Sequence, residues 1–158
     1  MKHVFLLDEN IAVRGLIHES GAAQSLWLTV ARNCHHKLVV SYQLYANYRD
    51  KLRASRRKAG REPTLDFSGV VDGIALNADK TIWVDPEGSP LAQLVHHLND
   101  RYLANIAHAA VTQGNCSECL LVTTDRRTRE DFNRSQMNEL GISGVTIEAA
   151  LLLAREPR

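Results

Sequence analysis

The sequence predicts an α/β fold, a three-layer α/β/α sandwich with a mostly parallel central sheet. Two observations carry that prediction. Short runs of strand length, Val4-Phe5-Leu6-Leu7, Lys37-Leu38-Val39-Val40, Thr81-Ile82-Trp83-Val84 and Leu120-Leu121-Val122, are apolar with little polar alternation. That is how strands buried on both faces read. Between them lie longer stretches with apolar residues at helical spacing, and strands alternating with helices argue for a parallel sheet covered on both sides.

The opening run ends in Asp8, after which Glu9 to His18 carries Ile11, Val13, Leu16 and Ile17 at helical spacing. Ser20-Gly21 breaks that helix. Ala22 to Asn33 forms a second, with Ala23, Leu26, Trp27, Val30 and Ala31 as its apolar face. The second strand, Lys37 to Val40, closes at Ser41, a good cap for a helix that presents Leu44, Tyr45, Tyr48 and Leu52 on one side and runs to near Gly60. Asp66 to Asn77 reads as a further helix. The third strand ends in the turn Asp85-Pro86-Glu87-Gly88. Leu91 to Leu98 shows no clear period. Asp100 opens a helix with Leu103, Ile106, Ala107, Ala110 and Val111 buried, and Gly114 stops it. The strand at Leu120 delivers Asp125 and is followed by a polar helix to about Leu140. A short strand at Gly141 to Ile147 and a helix from Glu148 to Ala154 complete the pattern.

At 158 residues the chain suffices for one domain with a real core and is short for two, so residues 1–158 read as a single domain. With 44% hydrophobic and 23% charged residues, the composition is that of a soluble globular protein. Asp8 and Glu9 interrupt the first apolar run too early for a signal peptide, and no run approaches the roughly 20 residues of a membrane span. The expectation is a cytoplasmic protein with no membrane partner. Cys116 and Cys119 form a lone CxxC, a weak zinc or redox signal without a second pair, although Cys34-His35-His36 could complete it if the fold brought the two together. Burial in the Leu120 strand accounts for Cys119 without a metal.

A net charge of +1 gives no global attraction to nucleic acid, but the basic residues cluster. Arg49, Lys51, Arg53, Arg56, Arg57, Lys58 and Arg61 are opposed in their window only by Asp50, and Arg126, Arg127, Arg129 and Arg134 follow Asp125. Each cluster reads equally as a solvated helix face or as a groove for phosphates.

Three acids stand at comparable places. Asp8 follows the first strand, Asp125 follows the Leu120 strand, and Asp100 opens the helix before it. Singly, each reads as a helix cap. Brought to one rim, they repel unless a cation neutralises them, and hard divalent ions favour such all-oxygen sites. A nucleotide-binding reading lacks its glycines, since no GxGxxG or P-loop follows the first strand. His96 and His97, flanked by Leu94, Val95 and Leu98, read as structural or surface residues, and Trp27 and Trp83 as core or interface.

Taken in order, these segments resemble the PIN-domain family, metal-dependent ribonucleases that include VapC-type toxins. The resemblance covers nearly the whole chain. It rests on Val4-Phe5-Leu6-Leu7-Asp8-Glu9-Asn10, Leu38-Val39-Val40-Ser41, Asp100 to Ala107, Leu121-Val122-Thr123-Thr124-Asp125 and the segment from Gly141 to Ala150. It implies a PIN-like sandwich and a Mg²⁺ or Mn²⁺ ion held by Asp8, Asp100 and Asp125 as catalytic carboxylates. Asn10 and Thr123 would orient them, and Arg49, Arg53, Arg56 and Arg57 would contact the RNA backbone. It further implies RNA as substrate, a homodimer and, for toxin-like members, an antitoxin-like protein partner. Two positions depart from the family pattern: Asn47 stands where a glutamate is usual, and Arg127 where many members carry an acid. Asn47 still offers a neutral oxygen to the metal, and Asp131 is the acid that would have to replace the one missing at Arg127. The departures leave an alternative, a degenerate PIN-like domain that binds RNA or a protein partner without cutting.

Overall fold

The computed structural model describes residues 2–17, 21–33, 35–59 and 67–156, with side chains described throughout except at 16–17, 56–59 and 67–68. Among the described residues five strands form one sheet: β1 (Val4–Leu7), β2 (Lys37–Val40), β3 (Thr81–Trp83), β4 (Cys119–Val122) and β5 (Ile142–Val145). All four pairings are parallel, in the order β3-β2-β1-β4-β5. β1 and β4 are buried along their whole length, as their apolar runs require.

The helices divide between the two faces. α1 (Glu9–Ala12) leads into a π-helical turn (Val13–Ile17), followed by α2 (Gly21–Arg32), α3 (Tyr42–Ala59) and α4 (Phe67–Ala75). These carry the chain outward from β1 to β3 on one face, where α8 (Ile147–Ala154) packs against α2. α5 (Arg101–Thr112), α6 (Arg126–Phe132) and α7 (Ser135–Asn138) pack on the other, α5 against β2, β4 and β5. That division is what right-handed crossovers give when the chain runs outward from β1 and then returns to β4 on its far side. The expected three-layer sandwich is therefore present, with a sheet that is parallel throughout. Among the described residues no helix is long and apolar enough to cross a membrane.

Several elements differ from their sequence reading. The helix after Asp8 changes pitch at Val13, where Gly15 lies against α2: a Cβ there would come within 2.9 Å of Trp27 and 3.0 Å of the Ala23 backbone. The indole of Trp27 donates to the Ile11 carbonyl at 3.2 Å across that contact. The expected start of α4 at Asp66 lies outside the described residues. The unassigned stretch at Leu91 forms two 3₁₀ turns, Pro90–Leu94 and Leu98–Asp100, the first capped by Ser89. The polar helix expected to run to Leu140 is two helices. It breaks at Asn133, whose amide donates to the Gly144 carbonyl at 2.9 Å and accepts from the Gly144 N–H at 3.0 Å. Those bonds tie the turn to β5, so tertiary pairing overrides the helical period. Trp27 is core as expected, whereas Trp83 stands on the edge strand, 44% exposed, with its indole donating to the Ala75 carbonyl.

Candidate functional site

Strand register decides which residues share the carboxyl rim. Leu7 pairs with Val122, Val122 with Val145, and Phe5 with Leu38, so the residues one step beyond the strands line up as Ser41, Asp8, Thr123 and Thr146. The Asp8 N–H continues the ladder to the Val122 carbonyl at 3.1 Å. β1 and β4 are also where the chain reverses its direction of travel across the sheet, the crevice in which open parallel sheets bind ligands. Asp8 sits in that crevice, 3% exposed.

A hydrogen-bonded thread joins the three acids. The Thr123 hydroxyl donates to Asp8 Oδ2 at 2.8 Å and accepts from the Asp125 N–H at 3.2 Å. Asp125 caps α6, its Oδ1 accepting from the Thr128 N–H at 3.1 Å. The Thr128 hydroxyl in turn donates to Asp100 Oδ2 at 2.7 Å. Asp100 makes no capping bond to α5, and neither does Asp8 to α1. Of the three acids only Asp125 is a side-chain cap, so capping does not account for the cluster.

Burial pushes the Asp8 carboxyl up from an ordinary 3.8 to about 6. The Thr123 hydroxyl opposes that rise, and the charges of Asp100 and Glu9 add to it. Asp8 and Asp100 thus repel each other, and among the described residues neither has a cationic partner, whereas Lys51 faces Glu9 and His97 reaches Asp125. Carboxylate and amide oxygens are the ligand type that hard divalent cations favour. Among the described residues no three His, Cys, Asp or Glu side chains lie close enough together to hold a metal ion. The thread links the acids only indirectly, through the Thr123 hydroxyl to the Asp125 backbone and through the Thr128 backbone and hydroxyl from Asp125 to Asp100.

The corner at Asn47 is built differently from its sequence reading. Asn47 is half-buried and faces Tyr102 of α5, whose hydroxyl donates to Glu9 Oε2 at 2.9 Å. Glu9 also faces Lys51 at 3.5 Å. Glu9 therefore brings a carboxylate to the corner where α3 supplies only an amide. It was legible only as the residue after Asp8, and reading it as part of the first helix hid it. Tyr102 fixes it there, and burial pushes the Tyr102 hydroxyl far above its usual range. Tyr48, buried beneath, donates to the Leu7 carbonyl at the end of β1.

The remaining candidates divide. Asn10 is exposed, and its side-chain oxygen accepts from Lys51 at 3.4 Å. His97, read from sequence as structural or surface, is exposed and reaches Asp125 Oδ2 at 3.3 Å. Asp131 cannot stand in for the acid missing at Arg127. It is buried, accepts from the His96 N–H at 2.8 Å, and pairs with Arg127 and Arg134 at 3.5 and 3.3 Å. Arg49 and Arg53 are exposed on α3, the first with its guanidinium 5.8 Å from the centre of the Tyr45 ring. The side chains of Arg56 and Arg57 lie outside the described residues. Cys116 and Cys119 are free thiols, the second fully buried in β4, and Cys34 lies outside the described residues.

Comparison with known proteins bears on the fold. No protein-family model matches the chain, and no curated protein is significantly similar to it in sequence. Among solved structures it is similar to PAE2754 from Pyrobaculum aerophilum, with 16% identity and a TM-score of 0.52 over 95% of this chain and 93% of that one. It also matches SSO1118, a PilT N-terminus domain protein from the hyperthermophilic archaeon Sulfolobus solfataricus P2. There the identity is 16% and the TM-score 0.41 over 98% and 96% of the two chains. The first likeness shows a shared α/β sandwich and nothing finer. The second is too distant to carry an argument.

Proposed function

We propose that the protein is a PIN-like, divalent-metal-dependent ribonuclease that hydrolyses phosphodiester bonds within RNA. One observation carries the reading: Asp8, Asp100 and Asp125 are linked through two threonines at the crevice between β1 and β4, with Asp8 buried and its carboxyl raised to about 6. Asp8, Asp100 and Asp125 would hold Mg²⁺ or Mn²⁺, with the Asn47 oxygen or Glu9 completing the set. Such an ion supplies a Lewis acid and an activated water for phosphodiester cleavage. The chain's own contribution is orientation. Thr123 aims Asp8, Thr128 aims Asp100, and Tyr102 holds Glu9 in place. Arg49 and Arg53 would attract the RNA backbone by charge from the exposed side of α3. Incubating a mixed RNA pool with Mn²⁺ and either the wild type or Asp100→Asn tests the reading. Cleavage by the wild type alone supports it. Equal cleavage by both, or none by either at high protein concentration, contradicts it.

A second reading, a PIN-like domain that binds RNA or a protein partner without cutting, is favoured by the fate of two positions. Asn47 is engaged with Tyr102, and Arg127 turns to Asp131. Calorimetric titration of Mn²⁺ into the wild type and Asn47→Glu separates the readings. Tight binding already in the wild type supports the nuclease, whereas binding gained only with the glutamate supports the degenerate domain. The family resemblance also carries a homodimer and, for a toxin-like member, an antitoxin-like partner; light scattering on the purified chain tests the first.

A further inference from the structure

Beside the carboxylates, on the far side of Thr123, lies a cavity of about 200 Å³ lined by Arg14, Thr123, Thr124, Arg129, Thr146, Ile147 and Glu148. It opens at the same rim, above β4 and β5, because Thr123 and Thr146 are register neighbours one step beyond those strands. Its charge is the reverse of the neighbouring crevice, with two guanidinium groups against the single carboxylate of Glu148. The two arginines reach it for different reasons. Arg14 is exposed and sits on the π-helical turn after α1. Arg129 belongs to the basic cluster of α6, but its partners set it apart. Arg126, Arg127 and Arg134 each pair with Glu130 or Asp131, whereas Arg129 donates to the Thr123 carbonyl at 2.9 Å. That bond turns its guanidinium toward the rim without neutralising it. The floor is the first turn of α8, where Thr146 caps the Ala149 N–H at 3.1 Å and the N–H groups of Ile147 and Glu148 have no acceptor within the helix.

Size and chemistry together select the ligand. Pockets for whole cofactors or drug-sized molecules enclose roughly 300–1,000 Å³, so this one is too small for them and suits a single phosphate group. Guanidinium forks and hydroxyls are the side chains that recognise such an anion. Thr123 is shared by the two sites: its hydroxyl touches Asp8 and its carbonyl holds Arg129. We propose that this cavity is a phosphate subsite for the nucleic-acid strand, gripping a backbone phosphate next to the one positioned at Asp8. The cavity and its arginines stand on geometry alone; the choice of a nucleic-acid phosphate rests on the ribonuclease reading.

The test uses the whole protein in EDTA, so that no cleavage intervenes. Inorganic phosphate is titrated while the backbone amides of Thr124, Ile147 and Glu148 are followed by NMR, and a single-stranded RNA hexamer is then added. The subsite predicts saturable shifts of these amides, competition between hexamer and phosphate, and about tenfold weaker binding of both to Arg14→Ala, the scale of one charge-assisted contact. Arg14 is exposed, and the folded amide spectrum of that variant checks that only the contact is lost. Amides unmoved by phosphate, or binding unchanged in the variant, overturn the proposal. Phosphate binding that RNA does not displace overturns its nucleic-acid part. Binding of both ligands without RNA cleavage in Mn²⁺ leaves the subsite standing and overturns the nuclease reading alone.

Discussion

Replacing Asp8 by asparagine relieves a charge that the fold opposes, and the sign of the effect depends on pH. Folding raises this carboxyl from 3.8 to about 6, chiefly by burial. An acid raised in this way holds its proton more tightly in the folded protein than in the unfolded chain. Its contribution to stability is therefore most favourable below about pH 4, falls between about pH 4 and pH 6, and stays low above that. The full difference is about 3 kcal/mol, from 1.36 kcal/mol for each tenfold change in affinity for the proton. Asparagine keeps the shape and loses the charge. It also weakens the bond from the Thr123 hydroxyl, an opposing loss of about 1 kcal/mol. The expected net gain at pH 8 without metal is thus about 2 kcal/mol, or about 4–8 °C in melting temperature for a chain of this size. At pH 4 the gain vanishes or reverses. Thermal melts of both proteins across pH 4–8 in EDTA make the comparison, and adding Mn²⁺ at pH 8 should raise the wild type's melting temperature but not the variant's. Equal responses to pH in the two proteins would refute the claim that Asp8 carries an uncompensated charge.

Other perturbations follow from the same geometry. Gly141 has φ +81° and an added Cβ would lie 2.3 Å from the Ser117 carbonyl oxygen, so Gly141→Ala should cost about 3 kcal/mol or more in urea unfolding. Tyr48→Phe leaves the buried Leu7 carbonyl without its hydroxyl donor and should cost about 1–3 kcal/mol by the same assay. Thr128→Val removes the hydroxyl that donates to Asp100 while conserving shape and the backbone bond to Asp125; titration calorimetry should show weaker Mn²⁺ binding with little change in fold by circular dichroism.

The sandwich was legible because the strands are short apolar runs and the long helices, such as α2 and α5, keep their period. β1 and β4 announce themselves in this way, and so do the acids they deliver, Asp8 directly after β1 and Asp125 three residues after Val122. The strand order was not legible, because β4 lies beside β1 through contacts more than a hundred residues apart. That adjacency is what makes Asp8 and Thr123 partners. Glu9, Tyr102, Thr128 and His97 were missed for the same reason: each acquires its role from a partner on another element, and no local spacing encodes it. The break at Asn133 and the two 3₁₀ turns before Asp100 likewise come from tertiary bonds that outweigh local preference.

If Asp8, Asp100 and Asp125 jointly hold a divalent cation, anomalous diffraction from a crystal soaked in Mn²⁺ will show one strong peak within coordinating distance of all three carboxylates, with the Thr128 hydroxyl still on Asp100. A peak elsewhere, or none at saturating Mn²⁺, rules that coordination out.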